Sequence, residues 1–77
     1  MNNTPASEKV RLRLKNLMSE KELSVAELIR RDGSIRQSTV SDFMTGRNKT
    51  MTVETLDKLC RAMGITLPEF FDGEMFE

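Results

Sequence analysis

The side chains with the most distinctive chemistry in this chain stand between Arg36 and Lys49. Gln37, Ser38, Ser41, Asp42 and Thr45 are short hydrogen-bonding groups, interleaved with the apolar Val40, Phe43 and Met44. At a helical step of about 100° per residue, the three apolar residues share roughly 100° of arc, and the five polar ones fill roughly 140° on the other side. A merely solvated helix face is usually rich in Lys and Glu, which favour helix and solubility. This face instead holds several poor helix formers that bond at short range. Such groups suit the base edges of a DNA major groove. Gln pairs bidentately with adenine, Ser serves either base, and Asp accepts from cytosine. An ordinary polar surface has the same outline, and this stretch alone leaves both readings open.

The flanks favour the first reading. Arg36 precedes the polar face, and Arg47, Asn48 and Lys49 follow it, so both groups are placed to meet phosphates on either side of a groove. The start of the preceding helix, after Ser24, offers outward amides that suit another phosphate. The net charge is zero, but it is unevenly spread. Residues 1–49 carry ten Lys/Arg against six Asp/Glu, and residues 50–77 carry two against six, so +4 is balanced by −4. A segregation of this kind lets one part of a neutral chain face an anion.

These residues need elements to hold them. The spacing predicts helices over about 7–20, 24–31, 36–45, 52–63 and 67–71, with a tail over 72–77. Val10, Leu14, Leu17 and Met18 mark the buried stripe of the first, which starts at Thr4-Pro5 or Ser7. Ser24 and Glu27 form a capping box for the second, with Leu23 and Leu28 as a hydrophobic staple. Asp32-Gly33 ends it. Gly46 suits the left-handed cap after the third. Thr52 with Glu54 opens the fourth, buried through Val53, Leu56, Leu59, Cys60 and Met63 and ended by Gly64. Thr66 and Glu69 form a second capping box, with Pro68 tolerated in the first turn. No segment alternates with period two, so the fold class is all-α, one small five-helix domain over residues 1–77.

Composition excludes several functions. Histidine is absent and Cys60 is the single cysteine, which removes the commonest general base, the usual zinc sites and an internal disulfide. The carboxylates have no Ser-His arrangement to work with, so we expect no catalytic residues, no metal, no cofactor and no enzyme. Cys60 reads as a small core residue and the six Met residues as core filler or chain start. No signal-peptide stretch follows the polar Met1–Ser7, and no run nears the roughly 18 apolar residues of a membrane span. The expected setting is a reducing cytoplasm. Phe70 and Phe71 should divide between the core and a partly exposed site. Met75 and Phe76 should fold back over the core or pack on a second subunit.

The ordered set of residues resembles the Cro and phage-repressor (XRE-type) helix-turn-helix family. The resemblance rests on Leu23-Ser24, Glu27-Leu28, the run Ile35 to Ser41, Gly46 to Lys49, and the stretch Val53 to Phe71. It covers about residues 8–71 and implies a bacterial or phage-encoded, lambda-repressor-like domain that binds double-stranded DNA and regulates transcription, commonly as a homodimer. By position, it implies base reading by Gln37, Ser38 and Asp42, and phosphate contacts at or beside Ser41, Arg47 and Lys49. A protein-binding module, antitoxin-like or adaptor, is the alternative, with the Phe/Met tail as its docking segment. Three departures stand out. The turn Asp32-Gly33-Ser34-Ile35 is one residue longer than the usual pattern. Val25 stands where many members have a phosphate-holding Gln. Met18 and Met44 replace an Arg–Glu pair between helices one and three; replacing both partners avoids a stranded charge, and the two Met residues should pack together.

Overall fold

The computed structural model describes residues 5–72 and Phe76. Five helices run in the order α1 (Ala6–Glu20), α2 (Val25–Arg31), α3 (Gln37–Thr45), α4 (Val53–Met63) and α5 (Leu67–Phe71). Each expected helix is present, and the starts differ from expectation by a single residue at most. Among the described residues there is no strand. α2 packs on α3 and α4, α4 packs on α5, and α1 packs on α3.

Local chemistry sets most of the helix ends. The Ser24 hydroxyl accepts from the Glu27 amide, and Thr52 does the same for Thr55. Thr66 and Glu69 complete a full capping box, each side chain meeting the other residue's amide. The Ser24–Glu27 box is only half formed. The Glu27 carboxylate lies 3.4 Å from Arg30 and 3.7 Å from Arg31, so it is drawn along the helix instead of back to the cap. α1 has no side-chain cap; the Pro5 carbonyl accepts from the amides of Glu8 and Lys9.

The α1–α2 junction is made without glycine. Glu22 adopts φ 54, the Glu22 amide donates to Ser19 and the Leu23 amide donates to Met18. This is the Schellman pattern, which normally has glycine at the left-handed position. α4 ends with the matching pair of bonds, Gly64 to Arg61 and Ile65 to Cys60, and there the left-handed residue is Gly64.

One core joins all five helices. Leu14, Leu28, Val40, Leu59, Cys60 and Phe70 are fully buried, with Leu17, Met18, Ile35, Phe43, Leu56 and Met63 nearly so. Met18 is buried and Met44 half-buried against the same cluster, so neither departs from the alignment that pairs them. Cys60 is a core residue, as its place on the stripe implies. Phe70 is buried while Phe71 is 42% exposed. Phe76 does fold back: its ring centroid lies 5.0 Å from that of Phe71 and 6.2 Å from that of Phe70. Met75 lies outside the described residues.

Val53 corrects the reading of α4. It is 69% exposed instead of buried. It is the first residue of the helix, and helical side chains lean toward the N-terminus, so its isopropyl group projects past the end of α4. There it lines an apolar groove of about 250 Å³ with Val10, Phe43, Met51, Leu56 and Phe71.

Two arginines finish helix ends from a distance. Arg13 on α1 donates to the carbonyls of Phe70 and Glu69 at the end of α5, at 2.8 and 3.1 Å. Arg31 at the end of α2 donates to the Ala62 carbonyl of α4 at 2.8 Å. The last carbonyls of a helix lack partners of their own and carry partial negative charge, so a guanidinium there answers both needs.

Candidate nucleic-acid interface

The site is built on α2, the turn after it, and α3. Asp32 makes the turn: its carboxylate accepts from the Ser34 amide at 3.0 Å and the Ser34 hydroxyl at 2.7 Å. The Ile35 amide returns to the Asp32 carbonyl, and Ile35 enters the core. The bonds from Ser34, its hydroxyl first, hold the Asp32 carboxyl below the ordinary aspartate range. Gly33 has no left-handed φ and only open space around it, so aspartate shapes this turn and glycine does not.

α3 is anchored through its inner face. Val40 is 0% and Phe43 1% exposed. Gln37, Ser38 and Thr45 are then exposed, and Ser41 and Asp42 are half-exposed, on the side away from the core. Gln37 and Ser38 have no intramolecular side-chain partner among the described residues, which leaves their hydrogen-bonding groups for a ligand. Arg36 is the residue before the helix rather than its first turn, with φ −88 and ψ 125, and it is exposed.

The far end of α3 is closely tied. Gly46 takes φ 85, and its amide donates to the Phe43 carbonyl at 3.2 Å. The Asn48 amide donates to the Asp42 carbonyl at 2.9 Å, folding the basic loop back onto the helix. The Asn48 side-chain oxygen accepts from the Thr50 amide at 3.2 Å, which leaves its NH2 group pointing outward as a donor. The Arg47 guanidinium stands 3.9 Å from the Asp42 carboxylate, an exposed and weak pair. Lys49 is exposed. The Ser24 hydroxyl oxygen is occupied by its capping bond, but its proton remains free to donate. Arg36, Gln37, Ser38, Ser41, Asp42, Arg47, Asn48 and Lys49 thus occupy one continuous element and its two ends.

Two features were not foreseen. The first is a polar recess of about 210 Å³ between the α2–α3 turn and α4, lined by Ser34, Ile35, Arg36, Thr39, Thr55 and Lys58. Lys58, half-buried on α4, shares this recess with Arg36 only through tertiary packing, so α4's periodicity gives no sign of it. The second is the inward use of basic residues. Arg11, Arg13 and Arg31 belong to the positive N-terminal part, yet each donates to a helix carbonyl. The charge imbalance therefore overstates the cations available to an anion.

Among the described residues there is no cluster of three metal-ligating side chains, and no helix is long and apolar enough to cross a membrane. A family model of the Cro/C1-type HTH DNA-binding domain matches residues 13–74, the greater part of the chain. No curated protein and no solved structure matches it.

Proposed function

Because the chain belongs to the Cro/C1-type helix-turn-helix DNA-binding family, we propose that it is a sequence-specific transcriptional regulator that lays α3 in the major groove. The observation that carries this reading is the α3 face. A helix buried through Val40 and Phe43 holds out Gln37, Ser38 and Asp42 with almost no long charged side chain among them. Gln37 addresses adenine, Asp42 accepts from cytosine N4, and Ser38 meets either base. Ser24, Arg36, Ser41, Arg47, Asn48 and Lys49 hold the phosphates and fix register. The regulator works in the cytoplasm, without a cofactor.

Two copies, joined through the C-terminal third, present their α3 helices about 34 Å apart, one turn of DNA. The exposed Val53 and Phe71 beside the apolar groove favour a contact there. The same surface supports a second reading, in which this part of the domain docks a protein partner. Deleting residues 72–77 separates the two: in a regulator DNA binding falls as the dimer is lost, while in an adaptor DNA binding is unchanged and partner capture is lost.

Selection of bound sites from random DNA, followed by gel-shift titration, tests the main reading. Gln37→Ala weakens binding to the selected site by about 1–3 kcal/mol and relaxes preference at one position. Lys49→Ala weakens all sequences alike and lowers the salt slope by about one. Unchanged preference in Gln37→Ala removes Gln37 from the reading face.

A further inference from the structure

We infer that Arg11, a part-buried residue of α1, is the positioning residue of the reading helix and sets sequence preference without touching DNA. The inference rests on α3 reading bases, as proposed above, and adds what aims it.

Arg11 is 11% exposed along its side chain. Its Nε–H donates to the Phe43 carbonyl at 2.8 Å, across 32 residues of sequence. The same guanidinium sits 5.5 Å from the Phe43 ring centroid. It also covers Gly46, 3.8 Å from where a Cβ would stand. Glu8, one turn earlier on α1, pairs with its Nη1. One part-buried cation therefore meets the carbonyl, the ring and the cap of α3's last turn, and is itself paired with Glu8.

The grip matters because the first turn of α3 is packed but has no matching polar anchor. Arg36 supplies no side-chain capping bond, and Gln37 and Ser38 project at that end. From Phe43 to Gln37 is six residues, about 9 Å of helix at 1.5 Å each. A tilt of about 6° at the anchored end moves Gln37 by about 1 Å, twice the roughly 0.5 Å that a binding constellation tolerates. Non-specific phosphate contact survives such a shift, and bidentate base contact does not. Met18 and Met44 add apolar burial in the shared core, which supplies no directional bond. Arg11 supplies the direction.

Arg13 provides the control. It is also an α1 arginine donating to a helix-end carbonyl, but on α5. Arg11→Met and Arg13→Met each remove a positive charge and a helix cap and keep a side chain of similar length. Affinity for the selected site and for unrelated DNA of equal length is measured at a temperature where circular dichroism shows every variant folded. The expected result is a specific-to-non-specific ratio lowered about tenfold in Arg11→Met and unchanged in Arg13→Met. Arg11→Lys recovers part of the loss. If Arg11→Met does not fold, Arg11→Lys against Arg13→Lys carries the same comparison. An unchanged ratio in the Arg11 variants, or an equal drop in the Arg13 variants, overturns the inference and leaves DNA reading intact. A wild-type protein with no preferred site overturns the reading beneath it as well.

Discussion

Phe70 and Phe71 are neighbours in sequence with opposite environments, and truncating each in turn measures how much of α5 belongs to the core. Phe70 is 0% exposed and its carbonyl is held by Arg13. Phe70→Ala leaves a closed cavity, so the expected cost is about 3–5 kcal/mol. The whole stability of a 77-residue domain is about 4–12 kcal/mol, so this single change approaches unfolding. Phe71 is 42% exposed, and its ring meets Phe70 at 5.1 Å and Phe76 at 5.0 Å, both edge-on. Full burial of a Phe side chain contributes about 1.5–3 kcal/mol, so rather more than half of that, about 1–1.5 kcal/mol, is lost in Phe71→Ala. The space it leaves opens to water, and no cavity cost follows. Urea unfolding followed by far-UV circular dichroism gives both values. At about 4–8 °C per kcal/mol, Phe71→Ala lowers Tm by about 5–10 °C and Phe70→Ala by at least twice that. Repeating the series over a range of protein concentrations tests the proposed dimer. A contact through Phe71 makes wild-type Tm rise with concentration and makes Phe71→Ala lose that rise. Equal costs for the two alanines, or less than about 1 kcal/mol for Phe70→Ala, would refute the packing argument.

Three further outcomes are expected. Glu22→Gly stabilises the fold by up to about 1 kcal/mol in thermal unfolding, because glycine enters the left-handed position without the strain a side chain brings; Glu22→Ala brings no such gain. Burial first, then the neighbouring Asp57 carboxylate, push the Cys60 thiol up to about 11, so folded Cys60 stays protonated where the unfolded chain has already ionised. Its contribution to stability is complete below about pH 8.5 and falls as pH rises toward the folded value; rapid alkylation of the native protein at neutral pH would contradict this. The Asp32 carboxyl is held low by Ser34, so the turn keeps this support above the ordinary aspartate range and loses it as pH falls through the lower folded value. An NMR titration of the Ser34 amide reports that step, and Ser34→Ala moves it to higher pH.

What could be read from the sequence was local. A hydroxyl and a carboxylate three residues apart, as at Thr66 and Glu69, find each other within one turn, so the box is visible in the letters. Gly46 and Gly64 announce left-handed caps for the same reason. Val40 and Phe43 on one side and Gln37 and Ser38 on the other follow from a fixed angular step. What escaped was whatever depends on a partner far along the chain. Nothing near Arg11, Arg13 or Arg31 says that each ends on a distant carbonyl; their charges read as surface. Val53 fits its stripe by angle but stands at the helix end, where no neighbour covers it. Glu22 gives no turn signal, because the Schellman bonds override its own backbone preference. Asp32, not Gly33, shapes the turn that the pair of letters marked.

The bond from the Asn48 amide to the Asp42 carbonyl has a consequence for how the surface can diverge. It staples the cationic loop to the last turn of α3, so the two travel as one rigid body. Lengthening the loop by a residue would break the staple and let Arg47, Asn48 and Lys49 drift relative to the polar face of α3. On the proposed reading, change in binding taste is thereby channelled into swapping side chains at 37, 38 and 42, while the span from Asp42 to Asn48 keeps its length.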